Sequence, residues 1–220
     1  FRTLLAFHEA KDPQEYSPKL NACEEHINLA REVAEKSITL LKNRDQTLPF
    51  DATKTKKVAL VGDLGAVQNT GDHGSSWVKR ANADTLLKAL QQKFGAGNVS
   101  FIKTKAAGAS IDTISNADAV IIMAGMRYSD EGEYVSTTTK TGGDRKSTLG
   151  LRQEEIDLIR QVGGVNQKTA VVLIGGNTLI VDPWFEKVPA VLMAFYPGVK
   201  GGLAITRILF GEVNPSGKIP

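Results

Sequence analysis

The chain has 220 residues, 41% hydrophobic and 23% charged, a balance typical of a globular protein with one large core. The net charge is only +3, and lysines and arginines are scattered among acidic residues, so the basic, aromatic-rich surface of a nucleic-acid-binding protein is not expected. No apolar run approaches the roughly 18 residues of a membrane span. The single cysteine, Cys23, excludes an internal disulfide.

Both ends of the sequence suggest a piece of a longer protein. The N-terminus has neither an initiator methionine nor the layout of a signal peptide, and the C-terminus stops within the turn-rich phrase Gly217 to Pro220. Residues 1–25 are polar and weakly patterned. We therefore expect a linker or arm over residues 1–25 and one domain over residues 26–220.

Helix and strand patterns alternate along that domain. The first helix is predicted from His26 to Asn43, because apolar residues recur there at helical spacing. Apolar runs predict strands at 57–62, 99–103, 117–124, 169–175 and 190–195, and amphipathic patterns predict helices at 83–94, 152–162 and 200–210, with a helical turn at 111–115. Continuously apolar strands separated by helices indicate a parallel sheet that is covered on both faces. We predict a three-layer α/β/α sandwich, similar to flavodoxin, around a mainly parallel sheet of five or six strands.

The glycine-rich loop after the first of these strands has two interpretations. A dinucleotide site requires G-x-G-x-x-G directly before a helix, whereas more than a dozen residues separate Gly62 and Gly65 from the next helix. A nucleotide site is therefore disfavoured. Asp72, His73 and Trp77 suit carbohydrate instead, because a carboxylate and an imidazole hydrogen-bond hydroxyl groups and an indole stacks on a sugar face. A single histidine is nevertheless more often structural than functional.

Two further chemistries are disfavoured by the residues present. A Ser-His-Asp hydrolase of the G-x-S-x-G type needs a second glycine that Gly74-Ser75-Ser76 lacks. A metal site is not expected, because the three histidines are far apart and there is one cysteine. We expect no cofactor.

An acidic cluster follows the third predicted parallel strand. It contains Asp130, Glu131 and Glu133, and the segment closes with Asp144-Arg145, which we expect to form a local ion pair that folds the loop back. Spacing alone favours a solvated loop. The position favours chemistry, because open α/β sheets bind ligands beyond the C-terminal ends of their strands. Crowded carboxylates also raise one another's pKa, as an acid catalyst requires. The residues alone leave both interpretations open.

Five phrases, in order, resemble the second domain of glycoside hydrolase family 3. The first, Ala30 to Asn43 followed by Leu48-Pro49, closely resembles the helix that opens that domain. The resemblance covers residues 29–220. The other four phrases are Lys57 to Gly62, Gly71 to Ser76, the loop from Glu131 to Arg145, and Tyr196 to Gly217.

The resemblance implies half of an active site. Family members are typically retaining, exo-acting β-glycosidases in which an N-terminal TIM-like barrel, absent from this sequence, supplies an aspartate nucleophile. The sandwich supplies a glutamate acid/base, and retention places the two carboxyl groups about 5–5.5 Å apart. The family's loop spacing implies Glu133 as the acid/base, with Glu131 as the second choice and Asp144 and Arg145 as the loop's anchor.

The implied partners are the barrel and a β-linked glycoside, the implied location is secreted or periplasmic rather than cytoplasmic, and the isolated chain is expected to be inactive. The alternative is a non-catalytic carbohydrate-binding or interaction module of the same fold, for which Asp72, His73 and Trp77 would serve equally well. The sequence does not identify the sugar, the linkage or the oligomeric state.

Overall fold

A six-stranded sheet forms the centre of the computed structural model, which describes residues 17–71, 82–132 and 149–219. The sheet order is β1-β6-β5-β4-β2-β3, and every neighbouring pair is parallel except β1 and β6. This mainly parallel α/β sheet confirms the predicted fold class. The strands are β1 (Thr39–Asn43), β2 (Val58–Val61), β3 (Val99–Ile102), β4 (Ala119–Gly125), β5 (Thr169–Ile174) and β6 (Ala190–Phe195).

Helices cover the sheet on both faces. They are α1 (Glu24–Ser37), α2 (Leu86–Phe94), α3 (Ile111–Ser115), α4 (Tyr128–Glu131), α5 (Gln153–Gly163) and α6 (Gly201–Leu209). Successive strand residues point to opposite faces, so each strand contributes to two cores. One core lies under α1, α2 and α6, and the other lies under α3 and α5. Every residue of β2, β4 and β5 is buried, which explains their unbroken apolar sequences.

The first helix is shorter than predicted. It ends at Ser37, whose hydroxyl donates to the Ala34 carbonyl (3.0 Å), and Ile38 is already extended (ψ 129°). The predicted helix over residues 38–43 is wrong, because Thr39–Asn43 is the antiparallel edge strand β1. The β-branched pair Ile38-Thr39 favours extended backbone, and pairing with β6 satisfies it. A 3₁₀ turn at Pro18–Leu20 and the first residues of α1 also fall within the segment predicted as a linker.

The strand order reverses between β2 and β4. The chain passes from β2 to β3 on one side and then returns to the other side of β2 to form β4. Open α/β sheets bind ligands in the crevice beyond the strand ends at such a point.

Two glycines mark this edge. Gly62, after β2, has φ +104°, and a Cβ there would lie 2.2 Å from the Met123 carbonyl oxygen. Gly125, the last residue of β4, has φ +139°, and a Cβ there would lie 1.9 Å from the Ile174 carbonyl oxygen. Only glycine allows the backbones to approach this closely.

Candidate functional site

Two loops leave the sheet at this reversal point. One follows β2 and is described as far as Gly71, and the other follows β4 and is described as far as Gly132. Most predicted site residues follow these positions in the sequence, so the structure describes the residues that flank them. Glu131 is among the described residues, whereas Asp72, His73, Trp77, Glu133, Asp144 and Arg145 lie outside them.

Glu131 connects the ends of three parallel strands. It is the last residue of α4, which follows β4. Its Oε1 accepts hydrogen bonds from the backbone N–H of Gly176, beyond β5, and from the hydroxyl of Tyr196 (2.8 Å), beyond β6. A Cβ at Gly176 would lie 3.2 Å from Tyr196 Cε2 and 3.5 Å from that same oxygen, so a larger residue would crowd the contact. Glu131 is therefore held against the C-terminal edge of the sheet.

A bulge in β6 directs Tyr196 to this contact. Leu173 pairs with Met193, but the next residue, Ile174, pairs with Phe195, so β6 contains one extra residue. Phe195 adopts a left-handed conformation (φ 53°). Bulges of this kind bend a strand and redirect its side chains. Sequence reasoning missed Tyr196 and Gly176 as site residues, and their only signal is that both follow directly after buried strands.

A partly buried ion-pair network lies at the start of the acidic segment, around Asp130. Asp130 Oδ2 accepts hydrogen bonds from the Arg127 backbone N–H (2.7 Å) and from the guanidinium of Arg152. Arg152 also donates to Glu155 Oε2 (3.2 Å), and Glu155 Oε1 accepts from the backbone N–H of Gly125 (3.0 Å). The network joins the end of β4, the start of α4 and the start of α5. The predicted loop anchor, Asp144-Arg145, lies outside the described residues, and this pair of carboxylates around Arg152 was not predicted.

Burial sets the electrostatics of this network. The pKa of Glu155, which is 6% exposed, is raised because burial disfavours its charged form, although the Gly125 N–H and the Arg152 cation oppose that shift. Burial alone would lower the pKa of Arg152, but hydrogen bonding to Asp130 and the charge of Glu155 raise it. The positive charge of Arg152 therefore stabilises the two neighbouring carboxylates, Asp130 and Glu155, in this partly buried position.

The loop that follows β2 is anchored at the N-terminus of α6. Asp84, which lies just after residues 72–81, accepts hydrogen bonds from the backbone N–H groups of Gly202 (3.0 Å) and Leu203 (3.1 Å). Before residues 72–81, Gln68 Nε2 donates a hydrogen bond to the Ala83 carbonyl (2.8 Å), which connects the two ends of this loop. The pKa of Asp84 is raised because burial outweighs these hydrogen bonds.

The described residues of this region provide carboxylates and hydrogen-bond donors. Among the residues that the structure describes, no group of three or more His, Cys, Asp or Glu side chains is arranged to hold a metal ion. None of the helices in the described ranges is long and apolar enough to cross a membrane. Carboxyl groups on a fixed base at the sheet edge are suited to proton transfer and to hydrogen bonding of hydroxyl groups.

Comparison with known proteins gives one consistent result. Residues 38–220 match the model of the glycosyl hydrolase family 3 C-terminal domain. An exo-α-(1→6)-L-arabinopyranosidase from Bifidobacterium breve is 29% identical over 209 residues, which cover 88% of this chain and 26% of that protein. A β-xylosidase from Formosa agariphila is 30% identical over 217 residues, which cover 89% of this chain and 28% of that protein. The chain thus spans about a quarter of the length of these relatives.

Solved structures agree on the fold. A β-glucosidase from Erythrobacter marinus aligns with a TM-score of 0.77 and 27% identity, covering 90% of this chain and 30% of that one. A β-glucosidase from Bifidobacterium adolescentis aligns with a TM-score of 0.76 and 24% identity, covering 97% of this chain and 31% of that one. At this identity the alignment shows a shared fold only.

Proposed function

Because this chain belongs to glycosyl hydrolase family 3, of which it carries the C-terminal domain, we propose that it is the acid/base-bearing part of a retaining, exo-acting β-glycosidase. The sandwich over residues 26–220 works with an N-terminal TIM-like barrel, to which residues 1–25 connect it. That barrel supplies an aspartate nucleophile. The substrate is a β-linked glycoside with a terminal non-reducing sugar.

The position of the acidic segment is the observation that carries this proposal. The segment begins at the reversal point of the sheet, and Glu131 is tied to Gly176 and Tyr196 beyond the neighbouring strands. Gly132, which follows, is buried at the same edge. Glu133 follows Gly132 directly in the sequence, so its neighbour on the N-terminal side has a fixed position.

The contacts of Glu131 support Glu133 as the acid/base. Glu131 Oε1 is occupied by two donors from its own domain, Gly176 N–H and Tyr196 Oη–H. A general acid must instead direct its carboxyl group at the glycosidic oxygen. We therefore assign Glu131 the role of holding the segment in place and Glu133 the role of proton transfer.

The proposed reaction has two proton transfers at one residue. Glu133 first protonates the glycosidic oxygen while the barrel's aspartate attacks the anomeric carbon. The Glu133 carboxylate then deprotonates the water that releases the covalent glycosyl-enzyme. The two carboxyl groups must lie about 5–5.5 Å apart for retention. Asp72 and His73 hydrogen-bond sugar hydroxyls, Trp77 stacks on the sugar, and Asp144 with Arg145 anchors the loop.

The names of the relatives support a short list of sugars. The proteins matched here are named for glucose, xylose and arabinopyranose. Because the arabinopyranosidase is named for an α-(1→6) linkage, we propose a terminal β-glucoside or β-xyloside as the substrate.

The test is Glu133→Ala in the full-length protein, with Glu131→Gln as the matched comparison. General acid catalysis contributes about 10²–10⁴-fold, so Glu133→Ala should lose that factor on disaccharides and much less on 2,4-dinitrophenyl glycosides. Added azide should restore turnover of the activated substrates. Normal hydrolysis of disaccharides by Glu133→Ala would contradict the assignment, and loss of chemistry in Glu131→Gln with azide rescue would transfer the role to Glu131.

The isolated chain provides a second test. It lacks the nucleophile, so it should hydrolyse none of these substrates. Turnover by the pure chain would overturn the half-site argument. A full-length protein that binds glycosides and hydrolyses none would favour the alternative, a carbohydrate-binding module of the same fold.

A further inference from the structure

Arg152 joins the residues that precede and follow residues 133–148 in the sequence. It precedes α5 directly and follows residues 133–148, and its guanidinium reaches back to Asp130, 22 positions earlier in the chain. It also bonds Glu155, which is itself bonded to the end of β4 through Gly125 N–H. One side chain therefore connects the residues before the segment, the residues after it and the central strand.

We propose that Arg152 is a positioning residue for proton transfer in this glycosidase. It sets the position of α4, and thereby of Glu131 and Gly132, relative to β4. It acts through Asp130 and Glu155 and does not touch the substrate. This inference rests on the function proposed above.

Charge and geometry explain why an arginine is needed. Asp130 and Glu155 belong to different elements, and each bonds a different nitrogen of the same planar guanidinium. Among the described ion pairs, Arg152 is the cation that bonds both Asp130 and Glu155, so its removal would leave two partly or fully buried carboxylates facing each other without that countercharge. Like charges at short range repel, so α4 would move away from α5. A lysine supplies the charge but not the two fixed directions.

Small movements matter because the reaction needs two carboxyl groups from two domains. A misplacement of about 1 Å can reduce a rate by roughly 10²-fold. Binding of the sugar depends less on this geometry, so the effect should appear in kcat and not in KM.

The chain provides a matched control in Arg207. This arginine also bridges two carboxylates, Glu35 (2.7 Å) and Glu212 (3.1 Å), and its side chain is 26% exposed against 34% for Arg152. It lies on α6 and bonds α1, away from the acidic segment. Replacing Arg207 removes an ion-pair network of similar size without changing the support of α4.

The experiment compares Arg152→Met, Arg152→Lys and Arg207→Met in the full-length protein. We expect Arg152→Met to lower kcat on 4-nitrophenyl glycosides and disaccharides by roughly 10²-fold, with KM within about 3-fold of wild type, since the residue adds no uniform binding. The kcat of Arg152→Lys should lie between those of the wild type and Arg152→Met. Arg207→Met should keep the wild-type kcat at temperatures well below its unfolding transition. Equal kcat values for Arg152→Met and Arg207→Met would overturn the proposal.

Amide hydrogen exchange tests the same role without relying on activity. The backbone N–H groups of Asp130 and Glu131 donate to Arg127, and that of Gly132 donates to Tyr128 (2.8–3.2 Å). Arg152→Met should speed exchange at these three amides by about 10-fold or more, and Arg207→Met should leave them unchanged. Unchanged exchange in Arg152→Met would refute the role. If the wild-type protein hydrolyses no glycoside, the proposed function fails, and the exchange result still decides whether Arg152 holds α4.

Discussion

The substitution Gly125→Ala tests the close approach of β4 and β5 at the base of the acidic segment. Gly125 has φ +139°, and its Cβ position lies 1.9 Å from the Ile174 carbonyl oxygen. Its N–H also donates to the buried carboxylate of Glu155. Adding one methyl group therefore strains the backbone, pushes the strands apart and disturbs the ion-pair network at once.

The size of the effect follows from two contributions. The backbone conformation costs an L residue about 1–2 kcal/mol. Ordinary contact begins near 3.4 Å, so the methyl carbon and the Ile174 oxygen must separate by about 1.5 Å from their 1.9 Å starting distance. Overpacking of a rigid interior adds about 1–3 kcal/mol or more. We expect a loss of about 2–5 kcal/mol, a large share of the roughly 5–15 kcal/mol that stabilises a typical domain.

The assay is urea unfolding of the chain followed by circular dichroism, with Gly95→Ala as the control. Gly95 ends α2 with φ +87°, but the nearest atom to its Cβ position is Asn98 Nδ2 at an ordinary 3.7 Å. With an m-value of about 2 kcal/mol per molar urea, Gly125→Ala should lower the midpoint by about 1–2.5 M. Gly95→Ala should lower the midpoint by about 0.5–1 M, because only the cost of the backbone conformation applies. Equal midpoint shifts for the two variants would refute the steric argument.

Two further predictions concern charge. Burial raises the pKa of Asp84 in the folded state above the reference value of 3.8. Protonated Asp84 therefore stabilises the folded state fully below pH 3.8, and this stabilisation is lost as the pH rises through the folded-state pKa. Asp84→Asn should therefore flatten the decline in unfolding free energy above pH 3.8, and wild-type and variant profiles that run parallel would contradict this. Glu35, 5% exposed, accepts hydrogen bonds from Arg31 (2.5 Å) and Arg207 (2.7 Å), so Glu35→Gln should cost about 1–3 kcal/mol in urea unfolding. The fully exposed pair Glu32–Lys36 on the same helix is the comparison, and Glu32→Gln should leave the midpoint unchanged.

The sheet was predictable because its inner strands leave little ambiguity. β4 and β5 are buried at every position, so their sequences are apolar runs bounded by glycine or polar residues. The edge strand β1 was not predictable in this way. Its residues continue the helical spacing of α1, and no glycine or proline marks the boundary at Ser37. Pairing with Met193 and Leu192, more than 150 residues away, decides the conformation of Thr39 and Leu40.

The site was predictable only in its location. Acidic residues directly after a buried strand indicate the C-terminal edge of a parallel sheet, and Glu131 lies there. Its partners could not be inferred, because Gly176 and Tyr196 are 45 and 65 residues away, and the bulge that orients Tyr196 has no sequence signature.

Under the proposed function, the described anchors explain how this domain can align its half of the active site. Asp84 attaches the loop after β2 to α6, and Arg152 with Glu131 attaches the loop after β4 to the ends of β4, β5 and β6. Both attachments use buried or half-buried carboxylates that bond backbone N–H groups or a guanidinium, which are short and directional contacts. A catalytic carboxyl group that must meet a nucleophile on another domain tolerates little error in position. The anchors therefore have to be rigid, and substitutions at Arg152 or Gly125 should change the rate of chemistry more than the choice of substrate.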